Sequence, residues 1–400
     1  MKALRKILDK IKPAFEKGGK LSMFHSVFDG FETFLFVPNH TSKSGTHIHD
    51  GIDSKRAMFV VVIALIPALL FGMFNTGYQH YLAIGQDAGF LLTFLWGALA
   101  VLPYVVVSYV VGLGIEFTTA QFKGEEIHEG FLVTGMLIPL IVPINTPLWM
   151  VALATAFAVI FVKEIFGGTG YNIFNVALMA RAFLFFAYPS KMSGDSVWVS
   201  MKDYFGFGQE QLAVDVYSGA TPLGQAAIAS GDSLTMTGIT GEPLSWWDMF
   251  LGLIPGSIGE TSTLAIFLGG ILLIYTGIAS WKIILSVFAG GAFMAILLNI
   301  FAVNPYMTVP FWEHWCLGGF AFGAIFMATD PVTATRTERG KWIYGFLIGF
   351  LAILYRVLNP AYPEGMMLSI LLMNIFAKLI DYVVVQNNIK KRLKRARIAR

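Results

Sequence analysis

Ten apolar segments follow one another between residues 57 and 386, and they constrain the fold more than any other feature of the chain. They cover roughly 57–75, 90–116, 130–143, 148–166, 172–188, 262–278, 281–303, 315–329, 342–358 and 366–386. A helix needs about 20 residues to cross the hydrocarbon core of a bilayer, and most of the segments reach that length. Since the chain is 56% hydrophobic and only 13% charged, it carries more apolar surface than a water-soluble core absorbs. We predict an all-α polytopic membrane protein with about ten transmembrane helices.

The distribution of Lys and Arg predicts the topology. Basic residues concentrate in the N-terminal region, 1–56, and in the C-terminal tail, 387–400, which favours a cytoplasmic location for both termini. The loops that then fall outside contain neither Lys nor Arg: 76–89, 144–147 and 304–314. Arg356 is the exception, because it lies near the outer end of the ninth segment. It is either a charge that reaches the membrane interface or a buried functional charge.

The apolar segments divide into two sets of five. Residues 57–188 form the first set and residues 262–386 the second, and a long outer loop, 189–261, separates them. The third segment of each set is short, at 130–143 and 315–329. An odd number of crossings makes the halves inverted repeats, and short segments at matching positions indicate a central site built from them.

The N-terminal region begins with an amphipathic pattern. Basic residues alternate with apolar ones at helical spacing, namely Leu4, Ile7, Leu8, Ile11 and Phe15. This pattern predicts a helix lying on the inner membrane surface, with a contact to a partner subunit as the alternative.

Several function classes are excluded. The single cysteine, Cys316, rules out a disulfide framework and any iron–sulfur or zinc site that needs several thiolates from this chain. We find no glycine-rich nucleotide-binding turn and no hydrolase triad, and we predict no metal centre. The terminal basic runs reflect membrane topology, so we expect no nucleic-acid partner.

The most specific motif lies in the long outer loop, at residues 215–222. Gly219 permits unusual backbone angles, and Thr221 precedes a proline that favours extended backbone, so we expect the Thr221 hydroxyl to point outward. Alone, Ser-Gly-Ala-Thr is also an ordinary polar turn. The wider pattern, Asp215, Ser218, Gly219, Ala220 and Thr221, resembles the signature at which a flavin transferase attaches FMN through a phosphoester. The resemblance implies a covalent FMN on Thr221, outside the membrane.

Further stretches extend this resemblance to nearly the whole chain. They begin at Lys163, Pro255, Phe326 and Asn359 and read KEIFGGTGYNIFN, PGSIGE, FMATDP and NPAYPEG. Together they resemble the B-subunit family of sodium-translocating NADH:quinone oxidoreductases. The resemblance implies covalent FMN, riboflavin, a quinone substrate, Na⁺ and a multi-subunit complex in the bacterial inner membrane, with NADH oxidised on another subunit.

Two other protein classes share part of this pattern, and one residue differs from the family pattern. The D subunit of the Rnf-type ferredoxin:NAD oxidoreductase shares the flavin motif, and a urea or ammonium channel shares the ten-segment pattern. The family usually has proline where this chain has Val176. A helix that continues through this position is therefore one expectation.

The resemblance also implies residue roles. Asn172 and Asn175 match positions near riboflavin, where an amide suits the ring edge, although helix capping would also explain them. Asp330 matches the riboflavin region and, with Asp381 and Glu116, a sodium pathway, because carboxylates suit a hard cation. Solvation at a helix end or an ion pair would equally account for these acids.

Two glycine-containing stretches each leave two interpretations open. The family places Gly112 and Gly114 near quinone, and close helix packing is the alternative. The stretch 256–260 opens the sixth segment, so its amides either hold the FMN phosphate or form a plain helix-entry turn.

Overall fold

The structure is a computed structural model of the whole chain. It describes residues 2–16, 19, 21, 25–36, 45, 54–123, 130–194, 198–202, 219–229, 234–359 and 365–398. Within these residues the chain is helical, and an isolated bridge between Thr237 and Pro243 is the nearest approach to a strand.

Each predicted apolar segment contains helix, although several helix ends differ from the predicted ones and the eighth segment is broken. In the N-terminal region and the first half they are α1 Lys2–Phe15, α2 His25–Leu35, α3 Ser54–Ile84, α4 Phe90–Lys123, α5 Gly130–Leu140, α6 Leu148–Phe157, which continues as a π-helix over Ala158–Glu164, and α7 Val176–Ala187. The loop 189–261 between the halves contributes α8 Pro189–Met192, α9 Pro222–Ile228 and α10 Trp246–Leu251. The second half has α11 Thr263–Tyr275, α12 Trp281–Ile300, a 3-10 turn at Pro305–Thr308, α13 Phe311–Cys316, α14 Phe320–Phe322, a π-helix at Gly323–Met327, α15 Glu338–Leu358 and α16 Gly365–Ile398.

Five of these helices are long and apolar enough to cross a membrane, by length and composition. They are α3, α4, α12, α15 and α16. The helices α5, α7 and α11 are apolar but shorter, and the eighth predicted segment is broken between α13 and α14. The structure therefore supports a helical, multi-pass membrane protein. Ten crossings, the inverted repeat and the sides of the termini stay predictions.

The two halves pack through long helix pairs. Helix α3 lies against α4 in the first half, and α12 lies against α15 in the second. Glycines make both contacts close, since a Cβ at Gly97 would overlap the Met73 carbonyl and one at Gly349 would overlap that of Val287. Contacts of α3 with α11 and of α7 with α16 join the halves.

The N-terminal region forms a helical hairpin against this bundle. Helix α1 pairs with α2, and α2 contacts α4. Glu32 is buried and forms ion pairs with Arg5 and Lys12. Phe15 stacks on Phe28. Part of the amphipathic face of α1 is thus used inside the chain, and its contact with a lipid surface or a partner stays a prediction.

Candidate functional site

A cavity lies where the two short segments meet, and we call it the inner cavity. Its volume is about 140 Å³. The beginnings of α3 and α5, the turn that follows the π-helix of the first half, and the turn after the π-helix of the second half enclose it. Among its lining residues are Asn172, Asn175 and Asp330. The three residues that the family resemblance assigned to riboflavin therefore lie around one space.

Local hydrogen bonds fix the two asparagines. Asn175 is the N-cap of α7, where its side-chain oxygen accepts from Leu178 N–H at 3.2 Å, so the capping interpretation is correct for this residue. Asn172 donates to the Phe174 carbonyl at 2.9 Å. Val176 stands where the family usually has proline, and a helix running through this position was one expectation. In the structure α7 begins at Val176, so no helix runs through it. A capping asparagine ends the preceding turn without proline.

Asp330 lies in the turn after the second-half π-helix and lines the inner cavity. Its carboxylate accepts from Val332 N–H at 3.0 Å and from the Thr333 hydroxyl at 3.0 Å. Burial raises the pKa of the Asp330 carboxyl above its ordinary value, and these two hydrogen bonds oppose the shift. The site thus holds an acid whose charge depends on its surroundings.

The inner cavity contains a buried hydroxyl with no hydrogen-bond partner among the described residues. This atom is Thr169 Oγ1. Because buried polar groups are normally satisfied, a hydroxyl of this kind next to two amides and a carboxylate fits the polar edge of a flavin ring. The apolar remainder, which includes Leu137 and Phe326, suits the face of a planar aromatic group.

The other two predicted acids are engaged in different ways. Glu116 is buried and forms an ion pair with Lys163, a residue that lines the inner cavity. Asp381 accepts from the backbone N–H groups of Arg336 and Thr337 at 2.8 and 3.0 Å, and from the Thr337 hydroxyl at 2.6 Å. It therefore secures the start of α15 from α16. A structural role is visible for both acids, and their part in a sodium pathway stays a prediction.

Gly112 and Gly114 differ in their surroundings although both lie on α4. Gly112 is buried, and a Cβ there would overlap the ring of Phe131 on α5. Gly114 is exposed, with nothing near the position of a Cβ. Close packing against Phe131 explains why position 112 is a glycine. At Gly114 the surface of α4 is exposed, and packing within the chain does not require a glycine.

Thr221 lies at the other end of the molecule, at the start of α9. It is 8% exposed, its oxygen accepts from Gly224 N–H at 3.1 Å and its hydroxyl donates to the Gly194 carbonyl at 3.2 Å. The expectation that the hydroxyl points outward is wrong for this conformation, because the hydroxyl caps the helix that follows it. Gly219 has φ +44°, as its place in the motif predicted, and Ala220 is buried. Asp215 and Ser218 lie outside the described residues.

A small cavity of about 20 Å³, which we call the outer cavity, adjoins Thr221. The stretch 256–260 and the segment Leu317–Gly319 form its walls. This volume holds one or two water molecules, which is less than a phosphate group or a flavin ring needs. A group attached to Thr221 would therefore lie outside this cavity unless its walls move.

The stretch 256–260 does not form a helix N-terminus as expected. Helix α11 begins only at Thr263, and the amides of Ile258 and Gly259 donate to the Val142 and Leu140 carbonyls after α5. Those two amides are therefore not available for a phosphate.

Two buried arginines stand next to the outer cavity. Arg181 pairs with Glu260 at 2.7 Å, and Glu260 lines the cavity. Arg356 is fully buried, so of its two interpretations the interface-reaching charge is wrong. The sequence analysis gave no role to Lys163, Thr169 or Arg181, although Lys163 and Thr169 lie in the quoted stretch KEIFGGTGYNIFN. The signal for the two cations was available, since a charge inside an apolar segment points to a function or a partner.

The two cavities lie at opposite ends of α3. Met58 lines the inner cavity. Gln79 lines a further small cavity that shares Pro255 and Ser257 with the outer one. At 1.5 Å per residue these positions on α3 are roughly 30 Å apart, about the thickness of a hydrocarbon core. The fold and its sites thus define a helical, multi-pass membrane protein with one polar site near each end of α3.

Comparison with known proteins identifies the family. Residues 41–390 match the model of the NQR2, RnfD, RnfE family, and the chain belongs to this family. It is 46% identical to the B subunit of the Na(+)-translocating NADH-quinone reductase of Stutzerimonas stutzeri, with 98% of this chain and 99% of that protein covered. Proteins with the same name from Chromohalobacter salexigens and Klebsiella pneumoniae are 46% and 44% identical, over 98% of this chain and 96% and 99% of their own lengths.

Proposed function

We propose that this chain is the membrane redox subunit of a sodium-translocating NADH:quinone reductase. Its full-length relatives are named as subunits of that enzyme, and they favour this function over the Rnf-type alternative. Electrons enter from NADH, which another subunit oxidises, and leave to quinone, and their passage is coupled to Na⁺ transport across the membrane. The ten segments and the family together favour a multi-pass protein of the bacterial inner membrane.

The convergence of Asn172, Asn175 and Asp330 on the inner cavity is the observation that carries the site assignment. We infer that this cavity holds riboflavin, and a bound flavin would supply one- and two-electron chemistry there. The Thr169 hydroxyl and the amides position the polar edge of the ring, while the apolar lining excludes water. Each of the two halves contributes one wall, so a movement of one half against the other would change the site.

The acids make up the proposed sodium pathway. Asp330 lines the inner cavity, and Glu116 reaches it through its ion pair with Lys163. A carboxylate in a site of low dielectric responds strongly to a change of charge nearby. Electron arrival at the cavity is therefore expected to strengthen the attraction between this site and a cation. The exposed strip at Gly114 and the neighbouring Gly112 mark the region proposed for quinone.

Thr221 is the proposed attachment point for a covalent FMN, which a flavin transferase would install on the outer, periplasmic side. The charge pattern of the loops and the motif support this assignment independently. Formation of the phosphoester requires Thr221 to give up its hydrogen bond to the Gly194 carbonyl. The segment around Thr221 must therefore open before modification.

Flavin attachment gives the direct test. The full-length chain is co-expressed with a flavin transferase, denatured and examined on a gel under ultraviolet light, with Thr221→Ala and Thr221→Ser beside it. We expect fluorescence in the wild-type band and none in the alanine variant. The serine variant keeps the hydroxyl and serves as the matched control for the lost helix cap, which alone costs about 1 kcal/mol. A dark wild-type band, with the transferase active on a control substrate, would contradict the proposal.

A further inference from the structure

Lys163 places a positive charge in the wall of the inner cavity. Of the described residues that line this cavity, Lys163 and Asp330 carry charged side chains. The side chain of Lys163 is 5% exposed, so its ammonium is enclosed and lies within one side-chain length of the cavity wall. Lys378 approaches the same wall through the Val332 carbonyl at 3.5 Å, but it is exposed and water weakens its field. Lys163 is thus a cation of this wall held in low dielectric, where a nearby charge acts strongly.

The ammonium of Lys163 is bound to Glu116 behind the cavity. Glu116 belongs to α4, its side chain is 4% exposed, and it is not one of the described residues that line the cavity. Lys163 therefore lies between the proposed flavin site and this carboxylate. A change of charge in the cavity reaches Glu116 through Lys163.

The π-helix Ala158–Glu164 carries Lys163 close to its end. Bonds that span five residues mark its wider turns, from Ile165 N–H to the Ile160 carbonyl and from Gly168 N–H to the Lys163 carbonyl, both at 3.0 Å. Such a turn changes the direction in which the following side chains point, and it is frequent at functional sites. Two consecutive residues at this end, Lys163 and Glu164, both form ion pairs with α4.

The second of these ion pairs can hold α4 in place while the first one opens. Glu164 pairs with Lys123 at 3.1 Å, and Lys123 lies seven residues after Glu116 on α4. Seven residues are about two turns, so both partners lie on the same face of the helix. The Lys123 side chain is 38% exposed, which puts this pair near water. The packing of α4 against the π-helix therefore does not depend on the inner pair alone.

The pair of Lys163 and Glu116 is neutral as a whole, and neutrality is what makes its burial tolerable. One electron added to the cavity gives this group of charges one negative charge in excess. A lysine ammonium has three N–H donors on a flexible stem, so Lys163 can donate to an acceptor in the cavity as its bond to Glu116 weakens. A buried carboxylate that loses its cation attracts another one, and its oxygens suit Na⁺.

We propose that Lys163 is the positioning residue that couples the charge in the inner cavity to cation binding at Glu116. While the flavin is oxidised, Lys163 neutralises Glu116 and keeps Na⁺ away from it. After one electron has arrived from the NADH-oxidising subunit, Lys163 donates to the reduced ring and Na⁺ replaces it at Glu116. One positive charge then balances one negative charge, and only the hydrogen bond between Lys163 and Glu116 is broken. The inference rests on the proposed function, because it requires riboflavin in this cavity.

The first experiment asks whether Lys163 keeps Na⁺ away from Glu116. The melting temperature of the full-length chain, purified in detergent with oxidised flavin, is compared in sodium chloride and choline chloride at equal ionic strength. Lys163→Met leaves Glu116 without its cation, so Na⁺ should raise the melting temperature more in this variant than in wild type. Adding Glu116→Gln should abolish the extra rise. Lys123→Met, which breaks the more exposed pair, is the matched control and should respond like wild type. Equal Na⁺ responses of Lys163→Met and wild type would overturn the inference.

The second experiment measures the midpoint potential of bound riboflavin in a Thr221→Ala background, which carries no hydroxyl for covalent FMN. The potential should rise as Na⁺ replaces choline, because the reduced protein binds Na⁺ more tightly than the oxidised one. Glu116→Gln should weaken this dependence, and so should its combination with Lys163→Met. The combined variant should have the lower potential of the two, since it lacks the ammonium that stabilises the added electron. It buries no unpaired charge at this pair and is therefore expected to fold.

The outcomes separate this inference from the proposed function. If riboflavin binds, but Glu116→Gln and the combined variant have the same midpoint potential, the role of Lys163 is overturned and the assignment of the cavity stands. If the folded full-length chain binds no riboflavin, the assignment of the cavity and the role of Lys163 both fall.

Discussion

At the scale of single residues, the buried pair of Glu116 and Lys163 gives the clearest stability prediction. Glu116→Gln leaves Lys163 buried without its counter-charge, which costs about 3–5 kcal/mol. The melting temperature of the full-length chain in detergent should therefore fall. Adding Lys163→Met should restore much of the loss, because the unpaired charge is gone. Lys123→Met is the control, since the Lys123–Glu164 pair is far more exposed and is worth about 0–1 kcal/mol. Equal losses for Glu116→Gln and the control would contradict the prediction.

The sequence predicted residue types more successfully than residue partners. Asn172, Asn175 and Asp330 converge on one cavity, although 155 or more positions separate the acid from the amides along the chain, because a shared family pattern carries that information. The orientation of Thr221 was wrong, since the Gly194 carbonyl that accepts from its hydroxyl is a tertiary contact. The sequence also did not predict that Glu116 pairs with Lys163, because a hydropathy pattern carries no information on the distances between segments.

At the scale of elements, the two glycines of α4 should respond in opposite directions to the same change. Gly112→Ala forces a methyl group into the Phe131 ring and pushes α5 away, at a cost of about 1–3 kcal/mol. Gly114→Ala meets open space and should be neutral or stabilise the helix by up to about 1 kcal/mol. Thermal unfolding of both variants tests this, and Phe131→Leu should partly rescue Gly112→Ala. A destabilisation of similar size at Gly114 would show that packing within the chain does not distinguish the two sites.

Element boundaries differ from the prediction where polar residues have distant partners. The first apolar segment was expected to end at residue 75, yet α3 continues to Ile84. Asn75 donates to the Ile254 carbonyl at 3.0 Å, and a ring nitrogen of His80 lies 2.7 Å from the Ser200 carbonyl. These contacts satisfy the polar side chains inside the protein, so the helix extends through a stretch that hydropathy assigns to a loop. The loop 189–261 likewise contains helices, such as α9, that composition alone does not reveal.

At the scale of the whole molecule, the broken helix of the second half lies between the two cavities. A third small cavity, of about 10 Å³, shares Glu260 and Gly319 with the outer cavity and reaches Met327. Met327 follows Phe326, which lines the inner cavity. Apolar side chains fill the space between the two polar ends, so a cation cannot pass without movement of these elements. Such a barrier is what coupling of electron transfer to ion movement requires.

Asp330 stands at the inner end of this barrier, and its titration predicts how sodium and protons compete. Since burial raises the pKa of this carboxyl, the carboxylate is lost at a higher pH than for an exposed aspartate. The Na⁺ concentration for half-maximal quinone reduction by the assembled complex should therefore rise as the pH falls through that raised pKa. Asp330→Asn should need more Na⁺ at every pH and should lose this pH dependence, because its amide does not titrate.

The control is Glu338→Gln, which replaces an exposed acid that pairs with Lys282 and Lys341, and it should keep the wild-type profile. If Asp330→Asn kept both the wild-type Na⁺ requirement and its pH dependence, the cation would have to enter past another acid, and Glu116 would be the next residue to replace.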